Sequence, residues 1–262
     1  MSQYTPVTTA SEPPPGVVEP RQYSLRGIVG VWAAAALPMA ALAWFVAPAW
    51  ARTLEGPTAF PRALIACLTA GLVWQGVLVL VLVRRETGTL RWSVLRDALW
   101  LRAPRSPRSG RVGGRVWWVL VPATLVVGLE QLVPSLPVVA GRDLGQFLHS
   151  PNGQAFLSGN WPWFGIIVVM AVFNTVLGEE LLFRGLLLPR MRGVFGRADW
   201  AANGVLFALY HLHLPWSIPK ILLDSLALAY PARRYHSAWP AIVVHSLQSV
   251  LIVGTALVFA LR

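Results

Sequence analysis

Two adjacent glutamates interrupt an apolar stretch in the last hundred residues of the sequence. The segment 178–185 reads GEELLFRG and contains Glu179, Glu180 and Arg184. Neighbouring residues of a helix point about 100° apart, so the two carboxylates face different directions, whereas Glu180 and Arg184 share a face and can pair. Pairing would neutralise Glu180 and leave Glu179 free, and a buried carboxylate of this kind can take a proton from water. The structural alternative is an ion pair that closes a helix end.

Two histidines follow on separate apolar segments. His211 lies one helical turn after Phe207, and His245 lies one turn before Ser249 in the last apolar segment. The members of each pair can therefore share a helix face. Polar residues in membrane helices often only tie helices together, at about 0.6 kcal/mol per interhelical hydrogen bond. Taken singly, each histidine is more typical of packing than of catalysis.

The combination of one carboxylate and two imidazoles is sufficient for hydrolysis of a peptide bond. Glu179 would accept a proton from water, and His211 and His245 would hold the water or stabilise the oxyanion. The same three side chains are also preferred ligands of a divalent metal such as zinc. Sequence spacing leaves both alternatives open, because the residues meet only in the folded protein.

The elements that position these residues are predicted to be membrane helices. Hydrophobic residues make up 55% of the 262-residue chain and charged residues only 13%, whereas about 25% of the residues of a soluble domain are charged. An all-α, polytopic membrane protein with about seven transmembrane helices, within a range of six to eight, is therefore expected. The five clear spans are 27–47, 63–83, 116–133, 163–177 and 239–261, and the two less certain ones are 200–214 and 218–230.

The charge distribution predicts the orientation and the domain organisation. The formal net charge is +11, but the arginines lie between apolar spans, which argues against a nucleic-acid partner. Nine arginines in the loop 84–115 place this loop and the N-terminus in the cytoplasm by the positive-inside rule. Residues 1–26 are expected to form a disordered Pro-rich tail, 27–160 the N-terminal transmembrane helices, and 161–262 the catalytic core.

Membrane lipids are expected partners of the basic loop. Trp92 and Leu95 alternate there with arginines. The pattern fits a short helix on the inner leaflet, with its arginines on anionic headgroups, and it fits a solvated basic connector equally well.

The three motifs, in this order on apolar segments, resemble the CPBP family of CAAX proteases and bacteriocin-processing enzymes, also called the Abi or type II CAAX-prenyl endopeptidase family. The signature of that family is E-E-x-x-x-R, then F-x-x-x-H, then H-x-x-x-N or H-x-x-x-D. The chain has the first two motifs complete, and the third runs from His245 to Ser249. The resemblance covers roughly residues 163–250.

This resemblance implies an all-helical membrane fold whose site opens within the cytoplasmic half of the bilayer. It implies that Glu179 activates water, that Glu180 and Arg184 support it, and that His211 and His245 complete the centre. The expected function is that of an intramembrane endopeptidase of the bacterial plasma membrane, acting on a membrane-associated or lipid-modified protein or peptide. The resemblance leaves glutamate-dependent and metal-dependent catalysis both open.

Ser249 departs from the family pattern, which has Asn or Asp at this position. A serine hydroxyl can still donate a hydrogen bond to an oxyanion, but its side chain is shorter. The loss of one such donor lowers the stabilisation of the transition state by about 2.7–4 kcal/mol. The alternative function is therefore a catalytically silent membrane scaffold or bacteriocin-immunity protein of the same family. A small transporter with a Glu and His proton relay is a third hypothesis, but no repeated half of the sequence supports it.

Overall fold

The computed structural model describes residues 20–134 and 136–262. The predicted Pro-rich tail therefore lies largely outside the described residues. The described chain is helical and contains no β-strand, so the all-α class is confirmed. The helices are α1 (Leu25–Ala51), α2 (Ala59–Thr87), α3 (Trp92–Ala98), α4 (Gly114–Gly128), α5 (Leu144–His149), α6 (Pro151–Leu157), α7 (Trp161–Arg190), α8 (Arg192–Phe195), α9 (Asp199–Tyr210), α10 (Ile218–Tyr235) and α11 (Trp239–Ala260).

Four of these helices, α1, α2, α7 and α11, are long and apolar enough to cross a membrane. They contain four of the five clear spans that the sequence predicts, and they confirm a polytopic helical membrane protein. Helix α4 corresponds to the fifth span but is shorter, and α9 has 12 residues. Helix α10 has 18 residues but carries Lys220, Asp224, Arg233 and Arg234. The count of seven spans stays a prediction.

Helix α2 packs closely against α7 just before the glutamate pair. A Cβ atom at Gly178 would lie 3.0 Å from the Leu72 carbonyl oxygen, and one at Gly76 would lie 3.0 Å from the Phe173 ring. Small residues of this kind let two membrane helices approach each other. The close approach fixes the position of α7 where it carries the glutamates.

The other end of α7 is held by an ion pair whose arginine is buried. Arg190 Nη2 lies 2.6 Å from Glu86 Oε2, and the Arg190 guanidinium also donates to the carbonyl oxygens of Ala98 and Leu186. Tyr23 donates from its hydroxyl to Glu86. This end of the bundle, which also carries the loop 84–115, is called the basic end below.

The loop after α3 positions the start of α11. The Ala238 amide donates to the Trp100 carbonyl oxygen at 2.9 Å, and the Trp239 indole donates to the Leu101 carbonyl oxygen at 3.0 Å. The Ser237 hydroxyl donates to the Arg102 carbonyl oxygen. Helix α11 therefore begins at the basic end, in a position fixed by the loop.

Aromatic residues hold the opposite end of the bundle. The Trp44 indole donates to the Leu212 carbonyl oxygen at 2.9 Å, directly after His211. The Arg142 guanidinium lies 4.0 Å from the centre of the Trp44 ring and donates to the Ala43 carbonyl oxygen. These contacts attach the segment that follows α9 to α1.

Candidate active site

Two wide helical turns enclose the glutamate pair of α7. Residues Phe173–Gly178 and Leu181–Leu187 form π-helical turns, and Glu179 and Glu180 lie between them. Such turns have i→i+5 hydrogen bonds and occur frequently at functional sites. The two carboxylates diverge, because Glu179 faces the end of α9 and Glu180 faces α11.

Glu180 is held by two donors from different elements. Its Oε1 accepts from Arg184 Nη1 at 3.2 Å and from His245 Nδ1 at 2.9 Å. Both Glu180 and Arg184 are fully buried. Arg184 also donates to the Ser225 carbonyl oxygen at 3.3 Å, and its guanidinium lies 4.0 Å from the centre of the Phe207 ring. This cluster joins α7, α9, α10 and α11.

The hydrogen-bond partners of the histidines determine which ring nitrogen carries the proton. A carbonyl oxygen only accepts, so His211 Nδ1, at 2.9 Å from the Phe207 carbonyl oxygen, must carry a hydrogen. The carboxylate of Glu180 also only accepts, so His245 Nδ1 must carry a hydrogen as well. In its neutral form each imidazole therefore presents Nε2 as an acceptor.

Glu179 lies beside His211 and Tyr210. Its side chain is 2% exposed, and its Oε1 lies 3.8 Å from His211 Nε2, beyond direct hydrogen-bond distance. The Tyr210 hydroxyl interacts with the Glu179 carboxylate. Gln75 Nε2 donates to the same hydroxyl at 2.6 Å, so this bond does not use the Tyr210 proton. No cationic side chain bonds to Glu179 within the described chain.

Ser249 lies one helical turn after His245 on α11. It is 7% exposed, and its hydroxyl makes no hydrogen bond to any residue that the structure describes. Nearby, the Ser246 hydroxyl donates to Thr175 Oγ1 at 3.4 Å and so joins α11 to the first wide turn of α7. The predicted site residues thus come from three helices that contact one another.

Sequence reasoning missed two polar residues around the site. Gln75 orients Tyr210, and Asp224, which is 7% exposed, interacts with both Glu130 and Gln248. Gln75 and Asp224 lie in apolar segments, where a polar side chain is costly and usually functional. The presence of a polar residue in an apolar segment could therefore have identified both residues as candidates from the sequence.

The predicted metal ligands meet only part of what a metal site requires. Both histidines have an Nε2 that could bind a metal. The Nδ1–H of each histidine donates to an oxygen, as is usual for histidine ligands. However, residues 20–134 and 136–262 contain no group of three or more His, Cys, Asp or Glu side chains arranged to hold an ion. Zinc binding by Glu179, His211 and His245 therefore stays a prediction.

Comparisons with known proteins agree with the motifs. Residues 160–251, about a third of the chain, match the family model described as type II CAAX prenyl endopeptidase Rce1-like. The matched segment contains all the predicted site residues. No curated protein and no solved structure matches the chain. Residues 160–251 are therefore similar to the Rce1-like family of type II CAAX prenyl endopeptidases, and the helical membrane architecture agrees with this similarity.

Proposed function

We propose that the protein is an intramembrane endopeptidase in which Glu179 is the general base. The observation that carries this proposal is the different bonding of the two adjacent glutamates. Glu180 accepts from Arg184 and His245, whereas Glu179 is buried beside an unprotonated imidazole nitrogen and a tyrosine hydroxyl. Two carboxylates in such different environments are suited to different roles.

In the proposed reaction, a water molecule lies between Glu179 Oε1 and His211 Nε2, which are 3.8 Å apart. Glu179 takes one proton of the water, and the resulting hydroxide attacks the carbonyl carbon of the substrate. His211 accepts the hydrogen bond from the second proton and orients the attack. When the C–N bond breaks, Glu179 returns the proton to the leaving amine, which balances the reaction.

Oxyanion stabilisation is the proposed role of α11. Ser249 is only 7% exposed and its hydroxyl bonds to no described residue, so the hydroxyl is free to donate to the tetrahedral intermediate. His245 is fixed by its bond to Glu180 and keeps α11 in register with the glutamates. Glu180 and Arg184 are therefore positioning residues in this scheme.

The depth of the site supports a membrane-embedded substrate. At about 1.5 Å per residue, Glu179 lies roughly 16 Å from Arg190, and His211 lies roughly 18 Å from Asp199, at the basic end. A bilayer core is about 30 Å thick, so a peptide bond must enter the apolar layer to reach Glu179. We propose a membrane-associated or lipid-modified protein or peptide as substrate, in a plasma membrane with the basic end and the N-terminus in the cytoplasm.

A second candidate function is a catalytically silent scaffold or bacteriocin-immunity protein. The observation that favours it is Ser249, which replaces the Asn or Asp of the family's third motif. In that case the polar cluster would serve only to pack α7, α9 and α11 together.

The test is proteolysis of a membrane-peptide library by the purified full chain, beside Glu179→Gln and Glu55→Gln variants. Glu55 is an exposed glutamate far along the chain from the site, so its variant controls for the loss of a carboxylate. Cleavage by the wild-type chain and by Glu55→Gln, but not by Glu179→Gln, is expected. Equal cleavage by all three would refute Glu179 as the base, and a chelator arm would test the metal alternative. No cleavage by a folded wild-type chain would favour the scaffold.

A further inference from the structure

A cleft of about 550 Å³, lined by both polar and apolar surface, opens at the basic end, away from the candidate active site. It lies between the loop that precedes α4 and the last residue of α10, and the name headgroup cleft is used for it below. Its lining contains no carboxylate among the described residues. The polar and aromatic lining residues are Ser106, Ser109, Arg111, Arg115 and Tyr235.

Two arginines of the headgroup cleft have no side-chain partner among the residues that the structure describes. Arg111 and Arg115 make no side-chain hydrogen bond or ion pair within the part of the chain that the structure describes. Arg102, in the same loop, is different because it pairs with Asp97. A third guanidinium, that of Arg234, lies 5.9 Å from the centre of the Tyr235 ring, at the edge of the cleft. Guanidinium groups match the geometry of phosphate oxygens.

The backbone around the headgroup cleft is fixed by its own hydrogen bonds. The Ser106 amide donates to the Arg111 carbonyl oxygen at 2.8 Å, and the Gly113 amide donates to the Pro104 carbonyl oxygen at 2.9 Å. The Ser106 hydroxyl oxygen accepts from the Ser109 amide at 3.3 Å, so its own proton is free to donate. The cleft therefore presents guanidinium and hydroxyl donors on a preformed loop.

The surroundings of the cleft are those of a membrane interface. Val112, just before the apolar helix α4, is 60% exposed, and Trp118, within α4, is 71% exposed. Exposed tryptophans of membrane proteins concentrate at the headgroup level. The sequence has no acidic residue between Asp97 and Glu130, so nothing in this segment repels an anion.

We propose that the headgroup cleft binds the phosphate of an anionic phospholipid, with Arg111 and Arg115 on the phosphate oxygens and the acyl chains along α4. The ligand chemistry is that of a phosphate ester, and a lipid is favoured over a soluble phosphate because apolar residues adjoin the cleft. The proposal does not depend on protease activity. The Arg105 amide donates to the Tyr235 carbonyl oxygen at 3.1 Å. Because this bond attaches the loop to the end of α10, a lipid bound in the cleft would also contact the turn before α11.

The experiment measures lipid binding by native mass spectrometry of the full chain in a neutral detergent. Dioctanoyl phosphatidylglycerol, dioctanoyl phosphatidylcholine and inorganic phosphate are titrated separately. The variant is Arg111→Gln with Arg115→Gln. The charge-matched control is Arg84→Gln with Arg91→Gln, which removes two exposed arginines outside the cleft. An Arg111→Lys, Arg115→Lys variant keeps the charge but loses the forked donors of arginine. It replaces the glutamine variant in the binding test if that variant does not fold.

Phosphatidylglycerol is expected to bind the wild-type chain more tightly than phosphatidylcholine. The cleft variant should lose about tenfold or more in affinity, and the control should stay within about twofold. The lysine variant should fall between them. Equal losses in the cleft variant and in the control would overturn the site, because binding would then follow net charge alone. Inorganic phosphate that binds as tightly as the lipid would overturn the lipid assignment and identify a site for free phosphate.

Discussion

Arginine occurs in two contrasting environments in this protein, the candidate active site and the headgroup cleft. In the site, Arg184 is fully buried and contacts a carboxylate, a carbonyl oxygen and an aromatic ring. In the cleft, Arg111 and Arg115 border an open cavity and bond to no described residue.

The difference follows from the surrounding medium. A charge in the apolar layer of a membrane must have protein partners, because no water is there to solvate it. A charge at the interface is solvated and stays available to a ligand. Arg184 is therefore expected to contribute to stability and to the position of Glu180, whereas Arg111 and Arg115 are expected to contribute to binding.

The largest expected effect is the loss of activity in Glu179→Gln. Glutamine keeps the size of the side chain but cannot take a proton, so the cleavage rate should fall by about 10²–10⁴-fold. Initial rates on a cleaved membrane peptide measure this, with thermal unfolding as the control for folding. A rate within the error of the wild-type rate would show that the buried cluster is structural, and the contrast between the two regions would then disappear.

A second prediction compares the two kinds of arginine directly. Arg184→Met leaves the fully buried Glu180 carboxylate without its cation, and this should lower the free energy of unfolding by about 3–5 kcal/mol. Arg111→Met at the surface should change it by no more than about 0.5 kcal/mol. Chemical denaturation of both variants in the same detergent is the measurement. Similar losses of unfolding free energy in the two variants would contradict the proposed difference between buried and interfacial arginines.

A third prediction concerns the free hydroxyl of Ser249. If it donates to the oxyanion, Ser249→Ala should lower the cleavage rate by about 10²–10³-fold. Ser249→Asn, which restores the family's residue, should cleave at least as fast as the wild-type chain. Rates for the three proteins, measured at equal folded concentration, sharpen the distinction between a slow enzyme and a scaffold.

The smallest expected effect is a pH dependence of stability at the basic end. Burial, followed by the charges of Arg233, Arg192 and Arg234, lowers the pKa of His236 from 6.5 to about 4. Between these two values the unfolded chain binds more protons than the folded chain, so the stability present at pH 7 is lost as the pH falls.

His236 has a left-handed backbone conformation, with φ at 49°, which asparagine tolerates. The unfolding temperature of His236→Asn should therefore fall less than that of the wild-type chain between pH 7 and pH 5. An unchanged pH profile would show that burial and the neighbouring cations do not lower the pKa of His236.

The sequence predicts the local features of this molecule well. The four long apolar helices follow from composition and span length, and the contact between Glu180 and Arg184 follows from their spacing on one helix. The short apolar segments are less predictable. The sequence predicts one span over residues 200–214, but α9 ends at Tyr210. Residues 218–230 are part of a longer helix that includes Arg233 and Arg234.

The contacts between helices could not be predicted from spacing. The bond from His245 to Glu180 joins residues 65 positions apart, and the Gln75–Tyr210 bond joins residues 135 positions apart. Each depends on which helices pack together, and one sequence does not show this. The ring nitrogen that carries the proton in each histidine is determined by these same contacts.

The two wide turns of α7 also have a consequence for insertions and deletions. Each wide turn closes its hydrogen bond over one residue more than a regular turn. Deletion of one residue within Phe173–Gly178 could therefore be absorbed as a regular turn, with the helix continuing past it. The glutamates would then be rotated relative to α9 and α11, so a one-residue deletion could leave the protein folded and inserted while its catalytic geometry is lost.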